Sequence, residues 1–297
     1  MAKKERLPRP EWLKISLKTD ENFKEVGGLI SDNSLHTVCQ EARCPNIYEC
    51  WNQRTATFMI LGDVCTRHCG FCSVKKGAPG PVNEDEPESV ATAAEKMGLN
   101  YAVVTSVDRD DLPDEGAGHF ARTIEAIRKR IPHCGIEVLI PDFNGNRELL
   151  DIVLDARPEV LAHNLETVKA LYRRVRPVAS YEQSLKVIRD TILYRDEHGA
   201  EIKTKCGIMV GLGETIGQIE ETIKDIADTG CDIITIGQYL SPKRNALPVE
   251  KFYTPEEFEY LREKSLELGI KHAESGPLVR SSYHAHDAHA KLTDSKA

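Results

Sequence analysis

Thr57-Phe58-Met59-Ile60-Leu61, followed three residues later by Cys65-Thr66-Arg67-His68-Cys69-Gly70-Phe71-Cys72, decides how this 297-residue chain is read. The apolar run reads as a buried strand, and the cysteine-rich stretch as a loop at its end. Thiolates this close together can converge on one centre, and iron-sulfur clusters are held mainly by cysteine thiolates. Gly70 lets such a loop fold tightly, and Phe71 can shield what it holds. Upstream, Cys39, Cys44 and Cys50 form a second triplet with wider spacing, so it is no duplicate of the first. Two triplets point to two centres.

A closed zinc site or an ordinary cubane takes four protein ligands, so each triplet is one short. An open position is where a metal centre can bind a substrate, as catalytic zinc does. Cys69 and Cys72 alone also fit a redox dithiol or half a zinc site, but neither accounts for Cys65 or the partner triplet. Nine cysteines is an odd number, the N-terminus has no apolar signal region, and a chain this long can bury its own core. The thiols therefore read as cytosolic and the localisation as cytoplasmic. Cys134, Cys206 and Cys231 read as small buried hydrophobes.

Outward from the cysteines, apolar runs alternate with helical patterns: Thr57 to Leu61, Tyr101 to Thr105, Ile136 to Ile140, Val160 to Ala162, Ile202 to Val210, and Ile233 to Ile236. Parallel β/α units are the expected result, six of them, which makes an incomplete barrel in one domain. Thr215 reads as the cap of a helix carrying Ile219, Ile223 and Ile226 and stopping at Gly230. Thr254-Pro255-Glu256-Glu257 opens a last helix that ends near Gly269. A net charge of -8 argues against a nucleic-acid partner. No stretch approaches the roughly 20 apolar residues that span a bilayer. The basic arm of Lys3, Lys4, Arg6, Arg9 and Lys14 reads as a solvated segment.

Cys-x3-Cys-x2-Cys after a first strand resembles the radical S-adenosylmethionine (SAM) enzymes. The Cys39/Cys44/Cys50 spacing upstream of it, and Arg280-Ser281-Ser282-Tyr283-His284-Ala285 at the far end, resemble the lipoyl synthase family within that group. Further matches are His163-Asn164-Leu165-Glu166-Thr167 and Gln238-Tyr239-Leu240-Ser241-Pro242. The resemblance implies an α/β fold, a partial (β/α)6 TIM-type barrel over 53–275. It adds an N-terminal cluster-binding extension over 1–52 and a C-terminal segment over 276–297. It implies a [4Fe-4S] cluster on Cys65, Cys69 and Cys72 that reductively cleaves SAM. An auxiliary [4Fe-4S] cluster on Cys39, Cys44, Cys50 and Ser282, with Ser281 as the fallback, is implied as the sulfur donor. A hard alkoxide suits soft iron poorly, so the serine bond should open easily.

The implied reaction inserts two sulfur atoms at C6 and C8 of a protein-bound octanoyl-lysine, using two SAM molecules per lipoyl group. Implied partners are octanoylated lipoyl carriers (E2 lipoyl domains of 2-oxoacid dehydrogenases and the glycine cleavage H protein), a flavodoxin or ferredoxin, and an iron-sulfur carrier. Implied SAM contacts are Thr105, Ser106, Asn164, Glu166 and the glycine-rich strand end at Gly211. Arg174 or Arg176 is expected at a SAM carboxylate, with Arg176 preferred. The barrel's open side would admit the carried substrate. Two rivals are a radical SAM enzyme whose auxiliary cluster only conducts electrons, and a non-catalytic metal-binding scaffold.

Overall fold

The computed structural model describes residues 7–15, 17–283, 285 and 291. Strands are numbered along the chain: β1 His36–Thr37, β2 Thr57–Ile60, β3 Val64–Cys65, β4 Lys75–Lys76, β5 Tyr101–Ser106, β6 Gly135–Leu139, β7 Val160–Ala162, β8 Lys203–Val210, β9 Ile233–Gln238 and β10 His272–Gly276. Eight form one sheet in the order β1-β2-β5-β6-β7-β8-β9-β10; β3 and β4 form a separate ribbon. From β2 to β10 every pairing is parallel, and β1 adds an antiparallel edge to β2.

The two faces of this sheet have different chemistry because successive side chains alternate. Phe58, Ile60, Val104, Ile136 and Val138 share one buried cluster with helix residues such as Val90, Phe120 and Leu150. Cys206, Ile234 and Ile236 do the same with Ile219, Ile223 and Ile226. The alternate positions face inward, and there the sequence turns small or polar: Thr105, Gly207, Thr235 and Gly237. Deeper in the lumen Lys205 pairs with Glu137 at 2.8 Å, both side chains at most 2% exposed, and Tyr101 donates to the same carboxylate at 3.1 Å.

All six expected strands form, and both expected caps are present. Thr215 and Gln218 make a reciprocal capping box ahead of helix Ile216–Ala227, and Thr254 and Glu257 do so ahead of Pro255–Glu267. Besides the two-residue strands β1, β3 and β4, one parallel strand of the barrel escaped the sequence reading. β10, His-Ala-Glu-Ser-Gly, has no apolar run, yet it pairs with β9 from His272↔Ile233 to Gly276↔Gly237. The barrel therefore has seven parallel strands, the last specified by its backbone and not by its side chains.

The opening expected beside the barrel is bridged by the chain's own C-terminal segment. Val279 lies against β9, where a Cβ on Gly237 would stand 2.2 Å from its carbonyl oxygen. Toward β2, Asn46 donates to Leu278 O at 2.8 Å and Thr57 donates to Ser282 Oγ at 2.9 Å. Ala285 packs with Tyr101 and Val103 inside the lumen. The N-terminal extension shares the barrel's core, since Val26, Ile30 and Trp51 join the cluster of Phe58 and Val90. Among the described residues no helix is long and apolar enough to cross a membrane.

Gly237→Ala is expected to push this segment off β9, because backbone cannot relieve a 2.2 Å contact cheaply. Limited trypsin digestion read by mass spectrometry should then show cleavage after Arg280 several-fold faster than in the parent, with cleavage inside the barrel unchanged.

A candidate double-cluster site at one end of the barrel

A cavity of about 270 Å³ opens at the C-terminal ends of the strands, where barrels of this type carry their chemistry. Cys65, Cys69 and Cys72 line it, as do Thr105, Ser106, Asn164, Glu166 and Arg176. Val38 and Ala42, which flank Cys39 and Cys44, also reach it, together with Val279, Arg280 and Ser281.

The first cysteine loop is clamped from several sides. The β3–β4 ribbon closes its base, with Gly77 N donating to Cys65 O at 3.0 Å. Gly70 N donates to Val175 O at 2.8 Å, and a Cβ there would lie 2.9 Å from Leu247 Cδ1, so close approach is what requires glycine. The anchor that sequence reasoning missed is Arg67, only 3% exposed. It contacts Asp142 Oδ1 at 2.7 Å, Asp110 Oδ1 at 2.7 Å and Asp108 Oδ1 at 3.4 Å. Asp108 also meets Cys65 directly: the thiol donates to its Oδ2 and the Asp108 N–H donates back to Sγ, each at 3.4 Å. The acidic run after β5, which would equally read as a solvated loop, is thus part of the loop's mounting.

The second triplet sits on two short helices and the turn between them: Val38–Glu41, capped by Thr37, and Ile47–Asn52, with Cys44 N in the turn donating to Cys39 O at 3.0 Å. Its thiols influence one another's charge: Cys44 raises the pKa of Cys39, and both raise that of Cys50. The Thr57 backbone hydrogen-bonds the Cys39 thiol, and the Thr57 hydroxyl donates to Ser282. Ser282 is thereby placed on the Cys39 side, while Ser281 lines the main cavity. Tyr283 donates to Glu49 Oε1 at 3.0 Å. Arg280, to which the sequence reading gave no role, is half-buried, lines the cavity and lies close enough to Cys44 to favour its thiolate. His284, His286 and His289 lie outside the described residues.

Burial pushes every one of these six thiols up, Cys39 and Cys69 to about 11, Cys50 and Cys65 to about 12, with Cys44 and Cys72 raised as well. A reactive or redox-active thiol needs the opposite shift. Thiols this reluctant to ionise alone become ligands when a cation replaces the proton. Among the described residues no three His, Cys, Asp or Glu side chains converge on the point a single ion would occupy. A cubane, each of whose irons takes one thiolate, asks for wider spacing than mononuclear zinc. All nine cysteines are free, and Cys134, Cys206 and Cys231 are buried away from both triplets.

Three polar atoms on cavity-lining residues, Ser106 Oγ, His163 Nε2 and Asn164 Oδ1, are buried with no hydrogen-bond partner among the described residues. Such atoms cost about 1–3 kcal/mol each unless something pairs with them, so the cavity is built for a polar ligand. The residues present fit two iron-sulfur clusters and a SAM-like molecule. Thr105 donates to Leu139 O at 2.8 Å and keeps only acceptor capacity. Asn164 Nδ2 donates to Glu166 Oε1 at 3.1 Å. Glu166 has a left-handed φ of 68°, held by its backbone bridge to Ile208, and its carboxyl is pushed up by burial against the pull of Arg176. Arg176 Nη1 donates to Asn164 O and Tyr172 OH, each at 2.8 Å, so this guanidinium props up the Asn164–Glu166 turn.

Two expected contacts lie off the cavity lining. Arg174 pairs with Glu250 at 3.2 Å. Gly211, expected against a bound adenine, also lies off the lining: its φ of +102° and the 2.2 Å approach of Gln238 Nε2 to a Cβ there explain the glycine. Gly207, four residues earlier, is the one that faces the cavity, with Asn164 Oδ1 2.6 Å from where its Cβ would be.

Comparison with known proteins places this geometry. The family model of the radical SAM superfamily matches residues 59–226, and that of the N-terminal domain of lipoyl synthase matches residues 1–44. The lipoyl synthase of Symbiobacterium thermophilum is 56% identical over 283 residues, 95% of this chain and 87% of that protein. The lipoyl synthase of Rubrobacter xylanophilus is 54% identical over 94% of this chain and 86% of that protein. Among solved structures, methylornithine synthase shares the fold with a TM-score of 0.54 at 15% identity, over 88% of this chain and 79% of that one.

Removing the guanidinium in Arg67→Ala should strand the buried Asp142 carboxylate and lower stability by about 3–5 kcal/mol, while Arg67→Lys should fall between, keeping charge without the fork. Urea unfolding reads both. His163 adds a pH signature: Nδ1 donates to Ile140 O at 3.0 Å, and burial, helped by Arg176, lowers its pKa from 6.5 to about 4. Between those values the unfolded chain binds the proton that the folded chain refuses. Stability should therefore fall as pH drops from 6.5 to 4, by up to about 1.4 kcal/mol per unit. His163→Asn should flatten the urea midpoint over that window.

Proposed function

This chain belongs to the lipoyl synthase family, and from that premise we propose how its residues divide the work. The reaction is the insertion of two sulfur atoms at C6 and C8 of a protein-bound octanoyl-lysine, giving lipoyl-lysine, with the auxiliary cluster as sulfur source. It uses SAM and two [4Fe-4S] clusters. The observation that supports the division of roles best is the meeting of both thiol triplets, through Cys65–Cys72 on one wall and Val38, Ala42 and Arg280 on another, at a single cavity.

Cys65, Cys69 and Cys72 would hold the radical-generating cluster; Cys39, Cys44, Cys50 and Ser282 would hold the auxiliary one. When bound, these clusters supply the electron that cleaves SAM and the sulfur atoms of the product. Everything else falls to the protein. Arg67 fixes the first cysteine loop against the ends of β5 and β6. Ser106 can both donate and accept, and Thr105 can accept, which suits the amino and carboxylate groups of a methionine moiety. Asn164 and Glu166 present oxygen acceptors for ribose hydroxyls, and Arg176 holds both in place. Neutral His163 offers a lone pair on Nε2. Met59, Phe71, Leu139 and Met209 wall off water, which a radical abstracting hydrogen from an alkyl chain requires.

The position of Ser282 beside Thr57, and of Ser281 toward the cavity, supports Ser282 as the ligand. The functional divisions at 1–52, 53–275 and 276–297 follow from these roles. Lipoyl carrier proteins are the substrates, in our reading E2 lipoyl domains and the H protein. A flavodoxin or ferredoxin would deliver single electrons, an iron-sulfur carrier would rebuild the auxiliary cluster, and the cytoplasm would house the enzyme.

Anaerobic reconstitution, followed by mass spectrometry of an octanoyl-lysine peptide incubated with SAM and dithionite, tests this. The parent should bind about eight irons per chain and form a dithiolated peptide. Cys69→Ala should form no 5'-deoxyadenosine. Cys44→Ala should still form it while inserting no sulfur, and equal loss in both variants with the first cluster intact would overturn the division.

A further inference from the structure

Four segments interlock around the mouth of the cavity: 41–44, 69–76, 172–176 and 241–249. Gly70 N donates to Val175 O at 2.8 Å, Leu247 N to Gly70 O at 3.1 Å, Lys243 Nζ to Ser73 O at 3.4 Å, and Ser73 Oγ donates to Glu41 O. These segments carry eight Lys and Arg against one acidic residue, Glu41, in a chain whose net charge is -8. The charge is therefore segregated. Helix Pro255–Glu267 alone carries five glutamates.

Most of the rim cations are not consumed by the fold. Arg176 is buried, Lys75 pairs with Asp63, and Arg174 pairs with Glu250. Among the described residues, Arg43, Lys76, Arg173, Lys243 and Arg244 have no carboxylate partner. Lys76 and Lys243 lie near enough to Cys72 to favour its thiolate, so an anionic cluster accounts for them. It does not account for Arg173 and Arg244, which are exposed on the outer surface of the rim. An exposed cluster of like charges repels itself and draws in a partner of opposite charge.

We infer that this basic rim docks an acidic surface of the folded carrier domain around its octanoyl-lysine, an inference that rests on the function proposed above. The amide-linked lysine has lost its own charge, so the carrier can meet the rim with carboxylates on either side of it. Complementary charge of this kind speeds encounter and fixes orientation more than it tightens a finished complex.

The test is the single-turnover rate of sulfur insertion against substrate concentration, with dithionite as reductant. It uses an octanoylated carrier domain and, separately, a short octanoyl-lysine peptide with neutral flanks. Arg173→Glu combined with Arg244→Glu should raise the half-saturating carrier concentration by about tenfold or more, leave the maximal rate unchanged, and leave the peptide unaffected. The parent's carrier dependence should weaken steeply between 50 and 200 mM salt, on the order of a Debye length's change, and the variant's should not. An unchanged carrier concentration dependence, or an equal loss with the peptide, overturns the docking proposal. So does a defect that appears only when flavodoxin replaces dithionite, which would give the rim to the electron donor. Failure of the parent to modify even the peptide would overturn the assigned reaction, and the docking surface with it.

Discussion

Everything at the barrel's mouth depends on one buried cation. Arg67 sits in the middle of the first cysteine loop and reaches carboxylates that follow two different strands, Asp108 and Asp110 after β5 and Asp142 after β6. A loop of eight residues with three cysteines has no hydrophobic reason to adopt one shape. The planar fork of an arginine can bind several carboxylates at once in fixed directions, which a lysine's point charge cannot. Burial makes the arrangement unforgiving, since each partner is costly without the others. The loop's geometry is thus referred to the strands, the most rigid part of the molecule, and the cysteines inherit that rigidity.

The lumen obeys a second constraint, room. Inward positions must be small where ligand or backbone passes and polar where something must be paired. Gly207 makes way for Asn164, and Gly237 makes way for Val279. Below them the Lys205–Glu137 pair fills the interior without apolar bulk. The outer face shows the reverse, isoleucine and valine against helices, because its only task is burial.

These constraints explain what could and could not be read from sequence. Strands β2 and β5 to β9 declare themselves through apolar runs, and Thr215 and Thr254 declare helix starts through a local hydrogen-bond pattern that needs no tertiary context. The cysteine triplets are legible because metal ligation imposes spacing. β10 is illegible because His272 and Glu274 lie on the face shared with Thr235, while its outward face offers only Ala273 and Ser275, the latter donating to Phe258 O of the covering helix. The glycine-rich end of β8 is ambiguous for a related reason: a run containing three glycines does not say which one faces inward, and the register Gly207↔Thr235 does. Arg67 was visible, but its partners lie 41, 43 and 75 residues away on separate strand ends, and Arg280 acquires meaning only beside Cys44.

Among the described residues the C-terminal segment is tied by Asn46 to Leu278, Thr57 to Ser282 and Glu49 to Tyr283, and packs through Val279 and Ala285. With Ser282 as the proposed ligand, occupancy of the auxiliary site and closure of the barrel wall become one equilibrium. A group bound through Ser282 adds its binding energy to the seal, and a sealed wall preorganises the serine for the group, each by the same factor. On that assignment the protein carries a gauge of its own loading: a loaded chain would be a closed vessel, and a chain that has given up its sulfur one whose seam is held by the segment's own contacts.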